Sequence, residues 1–544
     1  MRVGRRDAIL RRFMHELGAH PHPDGTTSFR VWAPRPRSVA VRVGGAEHPL
    51  EPIGEGLFEG SLPASPGDDY AFVLDGGRAL PDPCSRWQPH GLRGPSRIVE
   101  RPNVERVDAP PLADLVIYEL HVGTFTQEGT FDAVIPYLGE LAALGVTAIE
   151  LMPVAEFPGH HGWGYDGVYI SAAQSSYGGP QGLAELVRAA HQEGLAVILD
   201  VVYNHVGASG VSALNAFGPY FGERTIWGPA LDYSREPVRE WVLQSAEQWI
   251  RDFGIDGLRL DAIHAIVDPS PEHIVEELAH RIHGLRAESL VIGEIGLDDP
   301  RGHGAPACDA IWDDHFHHAL HVLLTEEHDG YYEPFGRVEQ LADALRQTPP
   351  ERFVAYAQNH DQVGNRALGD RLEPRRLALA TLCLLCAPFV PLLFMGEEYG
   401  EPAPFQFFSD HIDRKVAEAT RLGRREEFAD FVQFAEDIPD PQDPRTFERS
   451  KLTRKRNPEV EGLYRELLRV RSELPRGNLN RIEFDERARW LRFGRGPFEV
   501  VCNFGSGPLQ VPSDGNRIRI ATDQTTTLND GHLDIPPLSG ALIE

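Results

Sequence analysis

Eight short apolar segments recur along the middle of this 544-residue chain, and they constrain its fold more than any other feature. They read LVIYELHV, VTAIELMPV, AVILDVVYN, DGLRLDA, SLVIGEIG, CDAIWDD, FVAYAQNH and VPLLFMGEE. Near-continuous runs of Val, Ile and Leu mark strands buried on both faces. Amphipathic helical stretches lie between them, such as FDAVIPYLGELAALG, GLAELVRAAHQEG, PVREWVLQSAEQWIRDFG and EHIVEELAHRIHGLR. Eight buried strands alternating with helices predict a central (β/α)8 TIM barrel in a multi-domain α/β protein.

The flanks have a different texture. SFRVWAP, SVAVRV, LFEGSL and DYAFVLDG alternate with period two between Gly/Pro turns, predicting an N-terminal antiparallel β-sandwich. After about Pro475, RWLRFGR, FEVVCNF, LQVP and RIRIAT predict a small C-terminal β domain. The expected division is an N-terminal extension over 1–16, the sandwich over 17–108, the barrel with insertions over 109–475, and the β domain over 476–544.

Composition narrows the partners. With 53 Lys+Arg against 81 Asp+Glu, the net charge of −28 argues against a nucleic-acid or anionic-membrane partner, since both need a cationic surface. The 5 cysteines are scattered and give no disulfide framework. Cys383 and Cys386 form a CxxC inside LALATLCLLCAP and read as core thiols on one helix, because no second pair completes a zinc site. MRVGRRDAILRRFMHELGAH lacks a secretory apolar core, and no segment approaches the roughly 20 apolar residues of a membrane span. A cytoplasmic location is expected.

In such a barrel the C-terminal strand ends converge on one face, so polar residues just past each strand are the site candidates. The third strand end offers Asp200, Asn204 and His205; the fourth, Arg259, Asp261 and His264; the fifth, Glu294; the seventh, Asn359, His360 and Asp361. Three carboxylates from separate strands suit retaining glycoside hydrolysis, in which one attacks the anomeric carbon and another protonates the leaving oxygen. Arg259 lies two residues before Asp261, so both point to one side of a strand, and the guanidinium would keep Asp261 ionised. Glu294 sits in an apolar strand, which predicts a pKa raised toward general-acid duty. Each has a plainer alternative: Asp200 as a loop cap or a clamp on Arg259, and Arg259–Asp261 as an ordinary ion pair. Chance does not readily supply all of them in this order around one barrel.

DVVYNH, GLRLDAIH, Glu294 after the fifth strand, and QNHDQ together resemble the four motifs of the α-amylase superfamily of glycoside hydrolases. LMPVAEFPGHHGWGYDGVY, YELHVGTFTQEGTF, DDHFHHALHVLL, NHDQVGNRALGDRL and FMGEEYGEPAPFQFFSDH further resemble its maltooligosyltrehalose trehalohydrolase subfamily. Branching enzymes typically carry Gln where this chain has Asp166. The resemblance implies cleavage of the α-1,4 bond next to the terminal trehalose unit of maltooligosyltrehalose. It makes Asp261 the nucleophile, Glu294 the acid/base and Asp361 the transition-state stabiliser. It also implies Tyr165, Asp200, His205, Arg259, Asn359 and His360 around the cleavage subsite, with Tyr165 stacking on the sugar or serving as core. Trp227 and His264 would face the leaving group, Trp227 having a core aromatic as its alternative. The segment after Glu294, Ile295-Gly296-Leu297-Asp298, departs from the subfamily's polar stretch. A functional pairing with a maltooligosyltrehalose synthase is implied as well.

No cofactor or obligatory metal is expected. His315, His317, His318 and His321 crowd into one segment but read as structural or rim residues, and HELGAH misses the HExxH spacing by one residue. The enzymatic alternatives are a glycogen branching or debranching enzyme, or a general α-1,4-glucanase. A binding-only relic barrel is the alternative from another class, and such relics typically lose carboxylates.

Overall fold

The computed structural model describes residues 16–105, 107, 109–225, 228–296, 305–428 and 438–544. The eight apolar segments form β1 (Ile117–Leu120), β2 (Ala148–Leu151), β3 (Ala196–Val201), β4 (Gly257–Leu260), β5 (Leu290–Glu294), β6 (Ala310–Trp312), β7 (Phe353–Tyr356) and β8 (Val390–Phe394). They pair in chain order as a closed parallel barrel, with β1 returning to β8 through Ile117↔Leu392. The expected barrel is therefore present, strand for strand.

The helical stretches follow the strands. Gly179–Gln192, Glu236–Phe253 and Ile274–Leu285 each fill the connection where their sequence placed them. The stretch after β1 is broken into Phe131–Val134, a 3-10 turn Ile135–Tyr137 and Leu138–Leu144. Pro136 explains the break, since it offers no N–H to the preceding turn.

Inside the barrel, side chains two residues apart face the lumen. Its lower part is apolar, built from Ile117, Ala148, Ile198, Ile292, Ala310, Val354 and their neighbours. One step further toward the C-terminal ends, the same parity brings Glu119, Glu150, Asp200, Arg259 and Glu294 to the lumen, with Trp312 and Tyr356 beside them.

Antiparallel sheets flank the barrel at both ends of the chain. On the N-terminal side one sheet contains Thr26–Trp32 and Leu57–Pro63, and another contains Val39–Val43 and Asp69–Leu74. This unit leans on the connection between β3 and β4: Trp32 packs edge-on against Tyr220 at 5.1 Å, and the Arg35 N–H donates to the Phe217 carbonyl at 3.1 Å. The C-terminal sheet runs Arg481–Asp485, Trp490–Arg495, Phe498–Asn503, Ser539–Ile543, Ile518–Ala521. It packs on the helix Pro374–Cys386, where the buried Cys383 and Cys502 sulfurs lie 3.3 Å apart as free thiols. Cys383 and Cys386 are thus core residues of one helix. Among the described residues, no helix is long and apolar enough to cross a membrane.

Candidate active site

Arg259 organises the barrel mouth. Its guanidinium is fully buried, and Nη1 donates to Asp200 Oδ2 at 2.8 Å and to Asp261 Oδ1 at 3.0 Å. Nη2 lies 2.8 Å from Glu294 Oε2, and the Trp312 ring covers the guanidinium at 4.3 Å. Burial opposes its charge, but Asp200, Glu294 and Asp261 outweigh that cost and hold the proton firmly. Burial pushes the Asp200 carboxyl up to about 7 against the pull of Arg259. Asp200 is bonded to Arg259 and accepts from the Tyr165 hydroxyl as well.

Asp261 follows β4 directly, and Asn204 Nδ2 donates to its Oδ2 at 2.8 Å and to its carbonyl at 3.0 Å. Both carboxylate oxygens are therefore fixed, one by Arg259 and one by Asn204. The next residue, Ala262, has φ 41°, a left-handed conformation that costs a non-glycine residue energy. That turn aims the Ala262 N–H at Glu294 Oε2, 2.8 Å away. Glu294 Oε1 has no hydrogen-bond partner among the described residues, and the side chain is 20% exposed. The apolar surroundings expected for Glu294 from its strand are not what the carboxylate meets. It reaches past the strand end to a guanidinium, an amide and the cleft.

A second polar chain runs along the β7 side. His360 is buried, its N–H donates to Glu119 Oε2 at 2.9 Å, and its Nδ1 bonds to the other Glu119 oxygen. Nε2 lies 2.7 Å from the Tyr165 hydroxyl, which donates to Asp200 Oδ2 at 2.6 Å. The Tyr165 and His360 rings stack at 5.2 Å. Burial alone would lower the His360 pKa, but Asp361 and Glu119 raise it to about 10, so it is an imidazolium at neutral pH. Asp361 follows it, 31% exposed, with Oδ1 accepting from Asn365 Nδ2 at 3.0 Å.

His360 makes stability pH-dependent with a definite sign. Its folded pKa exceeds the unfolded value of about 6.5, so its stabilisation is complete below that pH and is lost as pH rises toward about 10. His360→Gln should lower the melting temperature strongly at pH 6, by an energy on the order of a few kcal/mol. The gap to wild type should shrink at pH 10. An equal gap at both pH values would contradict the charge assignment.

The remaining candidates separate. His205 bonds through Nδ1 to Asn204 and lies at the same strand end. His264 is exposed on the turn Ile263–Ala265, beside Gly296, where an added Cβ would meet its ring at 3.4 Å. That places it on the Glu294 side. Asn359 is buried and caps the helix His360–Gly364, its Oδ1 accepting from the Gln362 N–H at 2.7 Å. Trp227, Leu297 and Asp298 lie outside the described residues, as does nearly all of the 1–16 extension. His317 is spent on the Ala357 carbonyl and Tyr332, and His321 on Glu327, so these histidines serve the packing of their helix.

Comparison with known proteins decides the family. A family model described as the alpha amylase catalytic domain matches residues 106–212. The malto-oligosyltrehalose trehalohydrolase of Deinococcus radiodurans is 43% identical, the match covering 90% of this chain and 89% of the relative. That of Saccharolobus solfataricus is 42% identical over 91% of this chain and 94% of the relative. The chain belongs to the malto-oligosyltrehalose trehalohydrolase family. A crystal structure of a Salmonella typhimurium protein described as an alpha amylase superposes with a TM-score of 0.87 at 34% identity, covering 98% of this chain and all of that one.

Beyond the motifs of this trehalohydrolase family, the barrel mouth holds carboxyls that reading the sequence missed. Glu119 and Glu150 interrupt apolar strands with lumen-facing parity, a signal available in YEL and IEL. Glu150 is fully buried among Glu119 and Asp200, and burial followed by those charges raises its pKa well above the carboxylate range. Asp314, just past β6, accepts from the Tyr356 hydroxyl at 2.5 Å and from Gln362 Nε2 at 2.9 Å. Burial, then the charges of Glu294 and Asp361, push it up to about 7.

Proposed function

We propose that this chain is a retaining glycoside hydrolase that cleaves the α-1,4 bond next to the terminal trehalose unit of maltooligosyltrehalose. The products are trehalose and a maltooligosaccharide. The observation that carries the chemistry is one buried guanidinium, Arg259, holding Asp261 and Glu294 side by side. Retaining enzymes need the two carboxyls about 5–5.5 Å apart, and inverting ones need a wider gap for water. The sequence identity to trehalohydrolases supports the choice of substrate.

Asp261 is the nucleophile: ionised between Arg259 and Asn204, it attacks the anomeric carbon. Glu294 carries the acid proton on Oε1, the oxygen that neither Arg259 nor the Ala262 N–H holds, gives it to the leaving trehalose oxygen, and then takes one from water. Asp361 binds sugar hydroxyls and favours the distorted ring of the oxocarbenium-like transition state. Arg259, Asp200, Asn359 and His360 position these groups, while Tyr165 and His205 line the cleavage subsite. His264 and Trp227 face the trehalose. The N-terminal sheets brace the connection between β3 and β4, which carries Trp227, and so close the leaving-group end of the cleft. A closed end rewards a terminal trehalose over an uninterrupted glucan.

We read the chain as a sandwich over 17–108, a catalytic barrel over 109–475 and a β domain over 476–544, and place it in the cytoplasm, in keeping with its free thiols. Its substrate has to come from an enzyme that caps maltooligosaccharides with trehalose, so a functional pairing with a maltooligosyltrehalose synthase follows.

Incubation with maltotriosyl-trehalose should give free trehalose and maltotriose on chromatography, with little action on maltopentaose. Comparable cleavage of maltopentaose would instead make the chain a general α-1,4-glucanase with the same catalytic carboxylates.

A further inference from the structure

The connection between β6 and β7 carries an aromatic ring that the proposed mechanism does not use. Tyr331 and Tyr332 sit together in the turn Gly330–Tyr332, and their fates differ. Tyr332 is buried, stacked on His321 at 4.6 Å. Tyr331 is 46% exposed, and among the described residues no other Phe, Tyr or Trp stands so far into solvent. Its ring is nonetheless braced: His318 packs edge-on at 5.0 Å and Tyr332 lies 4.6 Å away. A held but uncovered aromatic ring is what a ligand with an apolar face would use.

Its place ties it to the cleft. The adjoining Tyr332 hydroxyl donates to Gln362 Oε1 at 3.3 Å, one residue past Asp361, and Gln362 Nε2 in turn donates to Asp314 Oδ1 at 2.9 Å. The helix Arg414–Glu427 packs on the turn that follows Asp361, since Arg424 Nη2 donates to the Gly364 carbonyl at 2.8 Å and the Arg366 carbonyl at 3.0 Å. Tyr331 therefore belongs to the β6–β7 side of the mouth. His264 and Gly296, which flank the acid/base on its leaving-group side, come from the connections after β4 and β5.

We propose that Tyr331 is a stacking platform for a glucosyl ring of the maltooligosyl chain, beyond the cleavage subsite and away from the trehalose. This rests on the function proposed above. A pyranose offers a face of axial C–H bonds to an aromatic ring, and the fixed ring gives up little entropy on contact. Tyr331 is a substrate-binding residue for longer chains and takes no part in bond cleavage.

The test compares kcat/KM on glucosyl-trehalose, which fills only the cleavage subsite on that side, with kcat/KM on maltopentaosyl-trehalose. Tyr331→Ala should lose about tenfold on the long substrate, mainly through KM, and less than about twofold on the short one. Tyr331→Phe, which keeps the ring, should stay within about twofold of wild type on both. Tyr331→Gln keeps a polar side chain without a ring and should show the same selective loss, which decides the matter should Tyr331→Ala fail to fold. Equal losses on the two substrates, or no loss on either, would overturn the platform while leaving trehalose release intact. Failure of wild type to release trehalose from either substrate would instead overturn the reading on which it rests.

Discussion

Asp261→Asn should lower kcat by about four to six orders of magnitude, with the fold unchanged. The amide keeps the carboxylate's shape, and its oxygen still accepts from Arg259 Nη1, while its nitrogen gives up the bond from Asn204 Nδ2. What disappears is the charged oxygen that attacks the anomeric carbon. Substrate affinity should change little, because Asp261 contributes its bond only as the transition state forms. Single-turnover rates and a binding titration on the purified variant check both parts. Turnover within about a hundredfold of wild type would remove Asp261 from the nucleophile's role.

Glu294→Gln should cost about two to four orders of magnitude on maltotriosyl-trehalose, and for a different reason. The amide cannot give a proton to the leaving oxygen or take one from water. A substrate with an activated aryl leaving group needs no proton for the first step, so its glycosylation should be nearly normal. Breakdown of the glycosyl-enzyme still needs a base, so the covalent intermediate should accumulate on Asp261 and be visible by mass spectrometry. No adduct, with equal losses on both substrates, would give Glu294 a packing role instead. The two variants thus separate the carboxylates that Arg259 holds together.

The barrel was legible because its strands are buried on both faces. Most therefore read as near-continuous apolar runs broken by at most one or two polar residues. The site was legible where function and spacing coincide: Arg259 and Asp261 share one strand face, and both meet in space as their spacing requires. Glu119 was not, because its partner His360 lies 241 residues away and nothing local marks a carboxylate in an apolar strand as paired. Asp314 was not legible either: nothing local sets it apart from Asp313, which caps the helix that starts there, while Asp314 bonds to Tyr356 and Gln362 from other elements. The surroundings of Glu294 were misread for a geometric reason. The strand is apolar, but its last side chain reaches beyond the strand, where Arg259 and the strained Ala262 turn supply the partners. Asn359 shows the converse, a motif residue whose side chain is spent on a helix cap.

The most direct measurement is time-resolved proton NMR of maltotriosyl-trehalose with the wild-type chain. It follows the released trehalose together with the anomeric configuration of the new maltotriose. Stoichiometric trehalose, with maltotriose appearing first as the α anomer and mutarotating afterwards, is the predicted result. Maltotriose appearing first as the β anomer would contradict the covalent route through Asp261, and glucose or maltose in place of trehalose would contradict the position of the cut.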